Sequence, residues 1–202
     1  MADLAADVAI IGSGPAGLAA AIALRRRGVE RVVVLEREAE AGGVPRHCGH
    51  PPFGMREFGR VLTGPAYARR LVAGAAGIGA DIRTGHTVTA LEPGGGLRIV
   101  TAEGPAELRA RRVLITTGVR ERPRSARLVG GDRPLGVLTT GALQAYVYLE
   151  GLLPFRRPVI VGTELVALSA LLTCRRAGIR PVAVLEANDR PTAPWALSQF
   201  PR

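Results

Sequence analysis

Two stretches of the chain share one pattern of apolar and polar positions. In the first, a short apolar run at residues 8–11 ends at a glycine, and an alanine- and leucine-rich stretch then continues to Arg27. A second apolar run covers residues 32–35. Short apolar runs bounded by glycine are typical of buried parallel strands, and Gly28 is a suitable C-terminal cap for the helix between them. The pattern therefore predicts a strand–helix–strand unit.

The turn between the first strand and the helix matches the spacing G-x-G-x-x-G. In such a turn Gly12 permits the sharp bend, Gly14 lets a pyrophosphate approach the backbone, and Gly17 lets helix and strand pack closely. The free amides and the dipole at the helix start also favour phosphate. Glu36, nineteen residues after Gly17, ends the second strand, where a carboxylate can accept hydrogen bonds from a ribose. The unit is thus predicted to bind a dinucleotide, the alternative being a glycine-rich turn without a ligand.

The second stretch, residues 157–186, aligns on the first at a constant offset of 150 positions and without a gap. Gly162 and Glu186 fall on the first glycine and the terminal acid, so the repeat predicts a second unit of the same design. Alanine replaces the third glycine, and Glu164 replaces the second. A glutamate there opposes a pyrophosphate by bulk and like charge, and it can interact with the helix N-terminus. Two hypotheses stay open: NAD(P) or another nucleotide binds this unit, or Glu164 only caps the helix.

The chain between the two units contains further elements. Residues 37–60 are dense in glycine, proline and histidine, and such loops after parallel strands are where ligands bind. A helix is predicted over residues 64–80, and a small antiparallel insertion near residues 86–112 returns to a final parallel strand at residues 113–116. A linking helix is predicted over residues 139–151.

The predicted fold class is therefore α/β. A Rossmann-like domain with a parallel sheet and a small antiparallel insertion is followed by part of a second Rossmann-like nucleotide-binding domain. The expected bounds are 1–120 for the first domain, 121–156 for a connecting segment, and 157–202 for the partial second domain.

The order of these features resembles the flavoproteins with two dinucleotide-binding domains, which are similar to the pyridine nucleotide-disulfide oxidoreductases. Within that superfamily, "GGVPRHCGHPPFG", "TTGVRERPR" and "GVLTTGALQ" resemble the FAD-containing subunits of amine and amino-acid dehydrogenases. That group includes opine oxidase, hydroxyproline or proline dehydrogenase, hydrogen cyanide synthase and the alpha subunit of sarcosine oxidase. The resemblance covers essentially the whole chain.

The resemblance implies a set of FAD-binding residues: Gly12, Ser13, Gly14, Pro15, Ala16, Gly17, Glu36, Arg37, Gly42, Gly43, Val88, Thr117 and Gly118. The glycines of the turn would contact the pyrophosphate, the acid would contact the adenosine ribose, and the arginine would lie by the adenosine. The adjacent pair of glycines would lie near the pyrophosphate and ribityl chain. The valine backbone would face the adenine, and the threonine–glycine pair would close over the cofactor.

The activity that the resemblance implies is dehydrogenation of a small amine or amino acid, with hydride passing to the flavin and electrons passing onward. A partner oxidoreductase subunit is possible in such enzymes, so no catalytic residue is assigned. The alternatives are an NAD(P)H-dependent flavin reductase and a non-catalytic nucleotide-binding or assembly module. Pyridine-nucleotide reductases that resemble this chain usually carry a glutamate where this chain has Ser169, which argues against the reductase.

Cysteine and histidine offer few candidates for chemistry. Cys48 and Cys174 are far apart and form no CxxC pair, so neither a disulfide framework nor a metal site is expected. Cys48 is interpreted as an ordinary loop thiol. His47 and His50 lie in the same loop, where each is either a general acid or base facing the flavin or a solvated side chain.

Composition and charge exclude several other classes. The net charge is +10, but all 27 basic residues are arginines scattered along the chain, and aromatic residues make up only 4%. Nucleic-acid binding is therefore not expected. No apolar run approaches the ~20 residues that span a bilayer, and no signal sequence is evident, so a cytoplasmic protein is expected. Because the second unit has only two strands and one helix, we expect an incomplete chain, or one that needs a partner, with an exposed apolar sheet.

Overall fold

A computed structural model describes residues 5–128, 130–132 and 135–193. The described residues form two compact units, the first within Met1–Arg46 and Pro65–Val119 and the second within His47–Gly64 and Arg120–Arg202. The first compact unit contains the first strand–helix–strand repeat, and the second contains the repeat at residues 157–186. The domain bounds expected from the sequence stay a prediction. In chain order the elements are β1 (Ala5–Ile11), α1 (Pro15–Arg26), β2 (Val32–Leu35), α2 (Met55–Phe58), α3 (Gly64–Gly77), β3 (Asp81–Arg83), β4 (Thr87–Glu92), β5 (Gly96–Thr101), β6 (Gly104–Ile115), α4 (Thr140–Tyr148), β7 (Val159–Val161), α5 (Leu165–Arg176) and β8 (Ala183–Leu185).

The first unit contains a six-stranded sheet in the order β3-β2-β1-β6-β5-β4. Strands β3, β2, β1 and the end of β6 run parallel, and β4, β5 and the start of β6 run antiparallel. All four residues of β2 are buried, as expected for an inner parallel strand. The α/β fold predicted from the sequence is confirmed, including the parallel sheet and the antiparallel insertion.

The structure corrects one prediction in this sheet, because the final parallel strand is not a separate element. A single twelve-residue strand, β6, pairs antiparallel with β5, where Leu108 lies opposite Leu97, and further on pairs parallel with β1, where Val113 lies opposite Ala9. Residues 106–117 contain neither glycine nor proline, so nothing in the sequence interrupts the extended backbone. The hairpin therefore continues directly into the parallel sheet.

The core of the first unit joins the antiparallel strands to the parallel ones. One cluster of buried side chains draws on β1, β2, β5 and β6: Ala6, Ala9, Val33, Leu35, Leu97, Ile99, Leu108 and Ala110. Helix α1 packs on β1 and β2 and buries Leu18 and Ala21. Its last turn carries Arg25 and Arg26, whose positive charges interact favourably with the negative end of the helix dipole. Packing thus fixes the end of β1, where the glycine turn begins.

The second unit is built around helices α4 and α5. The predicted linking helix is confirmed as α4, whose first turn is capped by Thr139: its side chain accepts a hydrogen bond from the Ala142 N–H at 3.3 Å. Glu121 Oε2 also accepts a hydrogen bond from the Gly141 N–H at 2.8 Å. The buried cluster of this unit consists of Leu143, Ile160, Ala167, Ala170, Cys174 and Ile179.

The small sheet of the second unit exposes apolar side chains, as the sequence predicts. Strands β7 and β8 form a two-stranded parallel sheet. Val159 and Leu185 are 49% and 52% exposed, whereas their counterparts in the repeat, Ala9 and Leu35, are 0% and 1% exposed. The same strand–helix–strand design therefore leaves different amounts of apolar surface in water.

No helix among the described residues is both long and apolar enough to cross a bilayer. Within that same part of the chain, no group of three or more histidine, cysteine, aspartate or glutamate residues is placed to hold a metal ion.

The packing of the first turn of α1 predicts that Gly17 and Gly14 respond differently to alanine. A Cβ on Gly17 would overlap the Gly12 carbonyl and lie 2.7 Å from the Thr116 hydroxyl oxygen, whereas a Cβ on Gly14 meets no atom within 4 Å. We expect Gly17→Ala to lower the free energy of unfolding by about 1–3 kcal/mol, the usual effect of overpacking. Gly14→Ala should change it by less than about 0.5 kcal/mol. Urea unfolding followed by circular dichroism measures both, and equal stabilities would contradict the prediction.

Candidate functional site

The end of β6 holds the first glycine loop, residues 12–17, in place. Gly12 has φ +102°, and a Cβ there would lie 2.5 Å from the carbonyl oxygen of Thr116. The Thr116 hydroxyl donates to the carbonyl oxygens of Ile11 at 3.0 Å and Gly12 at 2.9 Å. Thr116, which precedes the predicted pair Thr117 and Gly118, is not among the site residues predicted from the sequence. Its only sequence signal is its place at the end of the strand that leads into that pair.

Ser13 joins the glycine loop to the acid at the end of β2. Its backbone N–H and its hydroxyl donate to Glu36 Oε2 at 3.0 and 2.5 Å. The Gly42 N–H in turn donates to the Ser13 hydroxyl oxygen at 3.1 Å. Ser13 and Glu36 are both buried. One hydroxyl therefore fixes three segments that are distant in sequence: the loop, the strand end and the pair Gly42 and Gly43.

Glu36 is a buried carboxylate held in its charged form. Burial raises the pKa of Glu36, but hydrogen bonds from the N–H of Glu38 and from the hydroxyl and N–H of Ser13 outweigh burial, so the pKa lies below its ordinary value. Oε1 accepts from the Glu38 N–H at 3.0 Å. A carboxylate offers about four acceptor positions. The N–H of Arg37 adds a fourth hydrogen bond, so the chain itself supplies a donor for each of these positions.

Gly14 marks an opening at the start of α1. It is the N-cap residue of the helix, with φ −67° and ψ 179°, and no side chain caps the helix N-terminus. Gly43 packs against one side of Gly14, since a Cβ added to Gly43 would lie 2.7 Å from the Gly14 Cα. The other side is open, since a Cβ added to Gly14 itself would have no neighbour within 4 Å. Glycine is not needed here for its backbone conformation or for packing within the chain. The opening, next to free amides and the positive end of the helix dipole, is therefore suited to the close approach of a phosphate.

The structure brings together most, but not all, of the predicted site residues. The glycine loop, Glu36, Gly42, Gly43 and Thr117 lie together at the ends of β1, β2 and β6. Arg37 is exposed and pairs with Glu38 at 3.2 Å. Val88 lies on β4, half-buried against the core cluster, and Gly118 is exposed with φ +72°. The roles of all the predicted site residues at a cofactor stay predictions.

The second unit repeats the hydrogen bonds of the first at the same offset of 150 positions. The Thr163 hydroxyl donates to Glu186, as Ser13 donates to Glu36. The Thr192 N–H donates to the Thr163 hydroxyl oxygen at 2.8 Å, and the Asn188 N–H donates to Glu186 Oε1 at 3.0 Å. The bond from Thr163 lowers the pKa of Glu186 from its ordinary value, and further bonds from Asn188 and Ala187 add to that effect.

The side chain at Glu164 distinguishes the second glycine loop, residues 162–167, from the first. Its carboxylate turns back against Gly162, with Oε1 3.1 Å from the position that a Cβ of Gly162 would take. The side chain accepts no capping hydrogen bond from the helix. The hypothesis that Glu164 only caps the helix is therefore wrong, because the first helical turn donates no hydrogen bond to its carboxylate.

Neither cysteine is placed for nucleophilic or redox chemistry. Both thiols are free and buried, and burial raises the pKa of Cys48 and of Cys174, so they remain protonated at neutral pH. The Cys48 Sγ lies 3.7 Å from the Gln144 Oε1 within the second unit. The His50 Nδ1 lies 2.9 Å from the Pro51 carbonyl oxygen, so this ring nitrogen already has a local partner.

Comparison with known proteins gives consistent matches over most of the chain. The pyridine nucleotide-disulphide oxidoreductase family matches residues 6–200. An opine oxidase subunit of Rhizobium meliloti (strain 1021) is 31% identical over 89% of this chain and 38% of its own length. The alpha subunit of sarcosine oxidase from Corynebacterium sp. (strain P-1) is 30% identical over 78% of this chain and 17% of its own length. The chain thus spans less than half the length of these curated relatives.

Solved structures support the fold. L-proline dehydrogenase from P. horikoshii superposes with a TM-score of 0.70 at 22% identity, over 90% of this chain and 35% of that chain. Thioredoxin reductase from T. acidophilum superposes with a TM-score of 0.65 at 23% identity, over 98% of this chain and 62% of that chain. At these identities the likeness establishes the α/β fold alone.

The hydrogen bonds of Ser13 predict how the Glu36 carboxylate titrates. We expect Ser13→Ala to raise the pKa of Glu36, because it removes the hydroxyl donor at 2.5 Å, and Ser13→Thr to keep the pKa low, as Thr163 does for Glu186. A depressed folded pKa stabilises the protein above the unfolded value of about 4.3, and this contribution is lost as the pH falls through the folded pKa.

Two measurements check this prediction. Carboxyl ¹³C chemical shifts report the pKa of Glu36 directly, and denaturant unfolding at several pH values reports its contribution to stability. The stability gap between wild type and Ser13→Ala should shrink as the pH falls below about 4. An unchanged pKa of Glu36 in Ser13→Ala would show that the hydroxyl is not what lowers it.

Proposed function

Since this chain belongs to the pyridine nucleotide-disulphide oxidoreductase family, we propose that its first unit binds FAD and that it acts in the dehydrogenation of an amine or amino acid. The observation that carries the FAD site is the opening at Gly14. Gly14 combines an ordinary backbone conformation and no neighbour within 4 Å of its missing Cβ with a place at the N-terminus of α1, so a ligand can approach the backbone there.

The surrounding residues fit a dinucleotide. The pyrophosphate would lie over the N-terminal amides of α1, on the open side of Gly14. The Glu36 carboxylate would receive a ribose hydroxyl of the adenosine half, which would share one of its oxygens with a donor of the chain. Ser13 holds Glu36 in its charged form before any ligand arrives, so little reorganisation accompanies binding.

The names of the relatives support the substrate class. Opine oxidase and sarcosine oxidase are named for substrates that are amino acids substituted on nitrogen. When bound, FAD supplies the acceptor for a hydride from the carbon next to nitrogen. The chain's own residues would bind and orient the cofactor and shield its phosphates. Both relatives are named as subunits, which supports a partner oxidoreductase subunit for this chain as well.

An NAD(P)H-dependent flavin reductase is the less favoured candidate. In the second unit, Glu164 stands at the position equivalent to Gly14, and the Ser169 hydroxyl donates back to the Leu165 carbonyl oxygen at 3.2 Å. Neither side chain is arranged to favour a nicotinamide dinucleotide.

The FAD assignment predicts that Gly14→Glu abolishes flavin binding. A glutamate there brings bulk and negative charge into the opening that the pyrophosphate needs. The chain is loaded with FAD and desalted, and the retained flavin is measured by visible absorption. Gly77→Glu is the matched control, because Gly77 is exposed at the end of α3 and its missing Cβ also meets nothing within 4 Å. Equal flavin retention in both variants would contradict the assignment.

The proposed reaction predicts which reductant bleaches the bound flavin. Under anaerobic conditions, we expect an N-substituted amino acid such as sarcosine to bleach the flavin band, and NADH to leave it unchanged on the same time scale. Stopped-flow absorption of the FAD-loaded chain measures both. Bleaching by NADH with no response to N-substituted amino acids would favour the flavin reductase instead.

A further inference from the structure

We propose that Glu164 is a specificity-determining residue that excludes dinucleotide pyrophosphates from the second unit, although the rest of that unit is built as a dinucleotide site. The proposal rests on the proposed function in one respect: the first glycine loop is taken as an example of a loop that binds a pyrophosphate. Three observations carry it: the backbone of the two loops, the acid of the second unit, and the direction of the Glu164 side chain.

The backbones of the two loops have the same conformation. Glu164 has φ −72° and ψ 170°, and Gly14 has φ −67° and ψ 179°. Each loop begins with a glycine at positive φ, +102° for Gly12 and +108° for Gly162. The Gly162 N–H donates to the Leu185 carbonyl oxygen at 2.7 Å, and the Gly12 N–H to the Leu35 carbonyl oxygen at 2.8 Å. The second loop therefore has the backbone that presents amides to a phosphate in the first.

The acid that would receive a ribose is also retained. Glu186 follows β8 and accepts hydrogen bonds from the Thr163 hydroxyl and the Asn188 N–H, in the same arrangement as Glu36. These bonds hold the pKa of Glu186 below its ordinary value, so it is a carboxylate at neutral pH. Neither the loop backbone nor the acid accounts for a loss of dinucleotide binding.

The Glu164 side chain is the difference between the two units that would account for a loss of dinucleotide binding. Because the two backbones agree, the Cβ of Glu164 points in the direction that is empty at Gly14. The Cβ of Glu164 thus occupies the opening that the first loop keeps for a ligand, and its carboxylate lies against Gly162 of the same loop. Within the described part of the chain, Glu164 forms no ion pair with an arginine. Its negative charge therefore remains to repel a pyrophosphate, which is itself an anion.

Exclusion of a dinucleotide from the second unit would determine which molecule supplies the electrons that reduce the flavin. A unit that rejects the pyrophosphate cannot hold a nicotinamide dinucleotide in the pose of the first unit. Reducing equivalents for the flavin would then come from the amine or amino-acid substrate and not from a nicotinamide cofactor on this unit. One side chain would separate this chain from relatives of the same fold that accept two dinucleotides.

The test is a gain of binding in a Glu164→Ala variant of the full chain. ADP-ribose is the probe, because it carries the pyrophosphate and two riboses but neither flavin nor nicotinamide. Wild type and variant share the first unit, so the difference between them reports the second unit. Isothermal titration calorimetry should show one additional site per variant chain, at least about tenfold tighter than any binding by the wild-type second unit. Adenosine, which has no phosphate, should bind the two proteins equally.

Further variants locate the gained site. Glu186→Gln in the Glu164→Ala background should abolish the additional site, because the neutral amide lacks the negative charge and one of the two acceptor oxygens that the ribose hydroxyls would use. Glu36→Gln in the same background should leave it, because Glu36 belongs to the first unit. Glu164→Gly serves if the alanine variant folds poorly, since glycine adopts this backbone in the first loop.

Two results would overturn the proposal. One is a wild-type chain that already binds ADP-ribose in a manner abolished by Glu186→Gln. The other is a folded Glu164→Ala or Glu164→Gly variant that gains no site. Failure of the FAD assignment would appear separately, as a wild-type chain that retains no flavin. The difference in ADP-ribose binding between the variant and the wild type could still be measured in that case.

Discussion

The hydrogen bonds from Ser13 to the Glu36 carboxylate are the interaction on which the site of the first unit depends. They fix the glycine loop to the end of β2, and the Gly42 N–H adds the following segment through the same hydroxyl. A buried carboxylate is tolerated only when hydrogen bonds compensate its lost hydration. Because Glu38 and Ser13 provide that compensation, the charged carboxylate is in position before a ribose arrives.

The second unit separates the requirements of the fold from those of the ligand. Thr163 and Glu186 reproduce the hydrogen bond that closes the loop, and the helix begins with the same backbone conformation. The fold therefore persists where the second glycine of the loop is replaced by Glu164. What changes is the access to the helix N-terminus, so the shared architecture does not imply a shared ligand.

Much of this arrangement could be predicted from the sequence because it is local or repeated. Apolar runs and glycine spacing predict β1, α1 and β2, and the constant offset predicts the second unit. Thr116 could not be found in this way, because its role depends on β6 pairing with β1 about a hundred residues earlier in the chain. The direction of the Glu164 carboxylate was also beyond the sequence, since a glutamate at a helix start can turn toward or away from the amides.

Hydrogen–deuterium exchange of the backbone amides, with and without FAD, would distinguish a cofactor at the first glycine loop from one at the second. The two glycine loops have the same backbone and serve as internal controls for each other. We expect FAD to slow exchange in residues 12–17 and at Gly42 and Gly43, and to leave exchange in residues 162–167 unchanged. Equal slowing in both loops, or no slowing in the first, would contradict the assignment of the cofactor to the Ser13–Glu36 site.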